Sequence, residues 1–153
     1  MYGEVGPSPA YSGGIVFVCN DYARLAAIKL GEVPELLWES DEDLSEISSP
    51  VANEDMVIMA ASYGTVSCFD SKTGERLWYY EADDGFYSSP LIANEKIYLM
   101  DISGLMHIIK ADKTLELISK NPLGEKASTT PAFYKDKIFI RGEKNLYCIG
   151  NQD

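Results

Sequence analysis

Residues 68–78, CFDSKTGERLW, read as the end of one strand, a turn and the start of another. Cys68 and Phe69 close an apolar run. Asp70 can accept hydrogen bonds from backbone N–H groups ahead of it, and Gly74 can take the positive φ that closes such a turn. Leu77 and Trp78 then resume an apolar strand. The unit recurs: AAIKLGEVPELLW ends at Trp38 and HIIKADKTLELI ends at Ile118, each 40 residues from Trp78. Pro9, Pro50, Pro90 and Pro131, each behind a serine or threonine, are spaced by 41, 40 and 41. An apolar run follows each proline, at 15–19, 56–61, 97–100 and 138–140. Three markers share one register, and a period near 40 built from strand-like units predicts propeller blades.

The second repeat is the cleanest. Strand A follows Pro50, strand B is Met56 to Ala61, strand C is Thr65 to Phe69 and strand D is Glu75 to Tyr80. Strand B is apolar without alternation, so both of its faces should be covered, as in sheets stacked around an axis. A ring as large as Trp78 on an outer strand can reach across to the next blade, and Ile118 predicts a less filled joint in the third copy. The expected architecture is all-β: one β-propeller domain over 1–153, with four antiparallel blades at about 8–45, 46–86, 87–127 and 128–150. The spacing puts residues 1–5 in a D-to-A loop and makes 145–150 strand C of the fourth blade. The last blade then lacks its outer strand and offers an apolar edge at Leu146 to Ile149. Half of an eight-bladed ring is expected, with a homodimer as one way of closing it and a compact four-blade ring as the rival.

The net charge of −11 argues against nucleic acid and against anionic membrane surfaces, which need clustered Lys and Arg. No apolar run reaches the roughly 18 residues of a membrane span. Residues 1–14 show neither the basic nor the apolar region of a signal peptide. Cys19, Cys68 and Cys148 lie in apolar strands and are expected to be buried free thiols. His107, the single histidine, aligns with Ser67 and Tyr147 as an ordinary strand residue, and no G-x-S-x-G elbow accompanies it. The acidic segments 39–46 and 81–85 are both D-to-A connections, without the spacing of a calcium loop, so no metal site is expected. Tyr22 and Tyr63 occupy equivalent B-to-C turns on the same side. With Asp83, Asp84, Phe86 and Tyr87, provided the last two are not buried, they form the candidate binding face. Exposed aromatics among carboxylates suit a protein partner, or a carbohydrate.

Residues 68–78 resemble the A-x-D-x-x-T-G-x-x-x-W docking motif of the pyrroloquinoline-quinone-like propeller repeat. Asp70, Thr73, Gly74 and Trp78 match it together. Repeat one keeps Gly31 and Trp38 with one extra residue, and repeat three keeps neither Gly nor Trp. The marks of the WD repeat are missing. The resemblance implies four-stranded antiparallel blades, usually eight to a ring. It does not by itself imply chemistry. Quinoprotein dehydrogenases of this superfamily use adjacent cysteines, a tryptophan beneath the quinone, and Asp, Glu and Asn around calcium. There is no Cys-Cys pair here, so no residue carries over to that role, and no cofactor is expected. The resemblance points instead to the non-enzymatic branch, similar to outer-membrane assembly lipoproteins: a protein-binding scaffold belonging to a larger periplasmic or extracellular protein. A quinone-dependent redox domain is the alternative.

Overall fold

The computed structural model describes residues 6–20 and 24–150. Among them, fifteen strands and no helix form four antiparallel sheets that follow one another along the chain. The first sheet is β1 (Ala10–Ser12), β2 (Ile15–Cys19), β3 (Leu25–Lys29) and β4 (Glu35–Ser40). The second is β5 (Val51–Ala52), β6 (Met56–Ala60), β7 (Thr65–Asp70) and β8 (Arg76–Glu81). The third is β9 (Leu91–Ala93), β10 (Lys96–Met100), β11 (Leu105–Lys110) and β12 (Leu117–Pro122). The fourth is β13 (Ala132–Tyr134), β14 (Lys137–Arg141) and β15 (Leu146–Ile149). This is the blade-by-blade architecture of a β-propeller.

Short turns make each sheet a meander. Gly13–Gly14 and Asn94–Glu95 are two-residue hairpin loops in which both residues have positive φ, 56° and 82° in the first, 49° and 59° in the second. That conformation matches the twist of the strands they join. In the second sheet Asn53 does the same work with its side chain, whose Oδ1 accepts the N–H groups of Asp55 and Met56 at 2.9 Å.

The hydroxyl residues before the prolines link one sheet to the next. Ser8 N–H donates to Ser49 Oγ at 2.9 Å, Ser49 N–H to Ser89 Oγ at 3.0 Å, and Ser89 N–H to Thr130 Oγ1 at 2.9 Å. Proline after each hydroxyl stands immediately ahead of the first strand of its sheet, where no ladder bond is lost. The repeated Ser/Thr-Pro is thus a between-sheet fastener.

Apolar side chains fill three joints. Phe17, Trp38 and Phe69 pack between sheets one and two, Trp78, Phe86 and Ile109 between two and three, and Tyr98, Met100 and Ile140 between three and four. β6, covered on both sides, is buried at every residue, whereas β2 buries alternate residues.

Two expectations need correction. Cys19 and Cys68 are buried, but Cys148 is exposed, because β15 is the edge of a three-stranded sheet with Leu146 74% exposed. Ile118 does not occupy the position of Trp78. Trp38 pairs with Ala27 and Trp78 with Cys68, each just past a bulge at Leu37 or Leu77; in the third sheet Ser119 pairs with Ile108 and the bulge falls on Ile118. The third C-to-D connection is one residue longer than the second, so the register slips by one and Ile118 points out, 45% exposed.

Candidate binding face

The B-to-C turns and D-to-A loops meet at one end of the sheets. In the second sheet Ala82 N–H donates to Gly64 O at 3.0 Å, and Phe86 N–H to Ala61 O at 3.1 Å, clamping the loop onto the turn. Gly64 has φ 102°, and a Cβ there would come within 2.8 Å of Ala82 O, so the approach requires glycine. The Ser62 hydroxyl donates to Glu46 at 2.9 Å, drawing in the loop that leaves the first sheet. Tyr63 is 61% exposed and Tyr87 45%, with Asp83 exposed and Asp84 half-buried on the same loops.

Phe86 does not belong to this face. It is fully buried, and its ring packs edge-on against His107 at 5.5 Å, since the clamp at its N–H turns the side chain into the joint. Tyr22 lies outside the described residues.

The turn at 70–74 lies at the opposite end. Asp70 Oδ1 accepts Lys72 N–H at 3.0 Å and Thr73 N–H at 3.1 Å, and Thr73 Oγ1 accepts Glu75 N–H at 3.3 Å. The Trp38 indole of the first sheet donates to Ser71 O at 3.0 Å, and its ring covers Gly74. Trp78 repeats the step, donating to Asp112 O in the third sheet at 3.0 Å. Lys113 Nζ donates to Asp70 Oδ2 at 2.8 Å; that hydrogen bond, with those from Lys72 and Thr73, brings the Asp70 carboxyl down to about 2. Beside it, burial pushes the Cys68 thiol up to about 12, which keeps it unreactive.

One constellation escaped sequence reasoning. His107 is fully buried, its Nε2 2.9 Å from Asp101 Oδ2 and its Nδ1 2.9 Å from the Tyr80 hydroxyl. A carboxylate only accepts, so Nε2 donates to Asp101, while Nδ1 shares a hydrogen bond with the Tyr80 hydroxyl. Asp101 Oδ1 accepts three more bonds, from Ser103 N–H, Ser103 Oγ and Leu105 N–H. Burial alone would raise the Asp101 carboxyl, but the bonds from His107, Ser103 and Leu105 outweigh it and hold the group below its usual range. Each polar atom is committed to the joint between sheets two and three. The β10–β11 hairpin brings Asp101 and His107 together, and only packing across the joint adds Tyr80 from sheet two, which no spacing encodes. Among the described residues no cluster of three or more His, Cys, Asp or Glu could hold a metal ion, and no helix is long and apolar enough to cross a membrane.

Over residues 2–153 the sequence matches the family described as outer membrane protein assembly factor BamB. The chain belongs to the BamB family. BamB of Yersinia pestis is 25% identical over 100% of this chain and 41% of its own length. The chain thus spans about two-fifths of the length of the curated relatives it matches. The solved BamB of Moraxella catarrhalis aligns with a TM-score of 0.80 at 16% identity, over 94% of this chain and 46% of that one. A europium-containing methanol dehydrogenase aligns with a TM-score of 0.59 at 12% identity, over 78% of this chain and 26% of that one. At such identities the likeness to either structure is one of fold, and the BamB-type propeller is the nearer of these two.

Proposed function

We propose that this BamB-family chain is a non-catalytic propeller segment that serves outer-membrane protein assembly in the periplasm by binding a protein partner. The observation that carries the reading is the loop face: Tyr63 and Tyr87 stand exposed among carboxylates on turns already clamped to one another. Ordering those loops on binding therefore costs little, and rigid aromatics supply contact area. The names of the family and of its relatives support the assembly role. On this reading Trp38, Asp70, Thr73, Gly74 and Trp78 join blades near 8–45, 46–86 and 87–127, and take no part in recognition.

A photo-crosslinking residue placed at Tyr63 or Tyr87 in envelope-expressed protein tests this. A discrete protein adduct from both positions, and none from Lys72 at the opposite end, is expected. Equal adducts from both ends, or none from the loop face, would sink it. The second reading, quinone-dependent redox chemistry, draws on the dehydrogenase fold likeness. Saturable binding of quinone that requires calcium would favour it over the scaffold.

A further inference from the structure

Charge is unevenly distributed along the chain. Residues 1–119 hold 20 Asp and Glu against 7 Lys and Arg, whereas residues 120–150 hold 3 against 6. Two of those six cations, Lys126 and Arg141, stand on the loop face where sheets three and four meet. A cleft of about 500 Å³ opens there, its walls carrying Lys126 and Arg141 in balance with Asp84 and Glu143, together with Ser128 and Tyr87.

The walls are fixed through the backbone. Glu143 N–H donates to Lys126 O at 3.0 Å, and the Thr129 hydroxyl donates to Arg141 O at 3.0 Å. Behind them the Glu125 carboxylate accepts Lys144 N–H at 2.9 Å and Asn145 N–H at 3.0 Å, holding the turn next to Arg141. Arg24, Arg76, Lys110 and Lys113 are each in an ion pair. Neither Lys126 nor Arg141 is in any ion pair found among the described residues, so both charges remain available to a ligand.

We propose that this cleft receives an acidic, extended peptide segment of a protein partner, with Lys126 and Arg141 holding its carboxylates and Tyr87 packing on its chain. Guanidinium groups pair with carboxylates through two parallel bonds, which gives direction as well as charge. Asp84 and Glu143 weaken the pull on a bare anion, so a ligand must bring chain contacts too, as a peptide does. The carboxylates of Asp41, Glu42, Asp43 and Glu46 on the loop that leaves sheet one repel the same segment and bias it toward sheets three and four. The proposal rests on the scaffold reading and adds the partner's chemistry to it.

The probe is a fluorescein-labelled acetyl-Asp-Glu-Phe-Glu-Asp amide, followed by anisotropy. Saturable binding is expected, weakening about tenfold on raising salt from about 50 to about 300 mM. The double substitution Lys126→Ala with Arg141→Ala should weaken it about tenfold or more. Both side chains are exposed, so the melting temperature of that variant should match the parent. Asp84→Asn should tighten binding. The cleft assignment fails if saturation is absent, if the double variant binds equally, or if the Asn/Gln version of the peptide binds as well. Crosslinks from Tyr63 that persist while the peptide does not bind would sink the cleft alone. Peptide binding that needs Lys126 and Arg141, without any crosslink, would leave the cleft standing and remove the wider scaffold reading.

Discussion

At Gly74, backbone and neighbour make separate demands. Its φ is 74°, and a Cβ would lie 2.6 Å from the Trp38 ring of the preceding sheet. Gly124 has φ 92° but nothing within 4 Å of the same added atom. Gly124→Ala should therefore cost only backbone strain, about 1 kcal/mol. Gly74→Ala should cost about 2 kcal/mol more, because Trp38 must shift off its Ser71 bond. Urea titration of the pair checks this, and equal losses would mean that the ring yields freely. The turn itself is legible in CFDSKTGERLW; the ring above it is not, since Trp38 arrives from 36 residues away. Phe86 and Tyr87 make the same point. They are adjacent in one loop, and which ring turns inward depends on the clamp at Ala61, which no spacing encodes.

Among the elements, the β9–β10 hairpin holds Glu95 at φ 59°, where the β1–β2 hairpin has Gly14. Glu95→Gly should stabilise the protein by about 0.5–1 kcal/mol, against the usual sign for a change to glycine. A lower melting temperature in that variant would contradict the turn geometry. The Asp70–Lys113 bond ties β7 to the turn after β11. With its carboxyl at about 2 in the folded state, below the ordinary 3.8, Asp70 contributes stability that is full above about pH 4 and is lost as pH falls toward about 2. Melting curves of Asp70→Asn should lie below the parent at neutral pH and converge with it near about pH 2. A constant gap across that range would refute the linkage. The repeat period reveals the elements because every blade reuses one strand pattern. The slip that puts Ser119 where a tryptophan stands in the first two sheets depends on a single extra turn residue, which pattern matching at a fixed 40-residue step overlooks.

On the scale of the whole molecule, each sheet packs against its immediate neighbours, so stability is close to a sum of sheet and joint terms. Sheet two has both faces covered and β6 wholly buried; sheet four has three strands, and β15 is largely exposed. Native-state hydrogen exchange should rank amide protection highest in β6 and β7 and lowest in β14 and β15. Uniform protection would show that the stack opens only as one unit.

The fasteners ahead of the inner strands also have a sense. From Ser8 through Ser49 and Ser89 to Thr130, every amide acts as a plug and every hydroxyl as a socket, always facing the same way. Any sheet that carries Ser-Pro or Thr-Pro can accept its predecessor and donate to its successor, whatever loops it bears. Gene rearrangements that change the order of the sheets keep these hydrogen-bond couplings matched. This one coupling is interchangeable along the row, whereas the apolar filling beside it, with a tryptophan in two joints and none in the third, is particular to each seam.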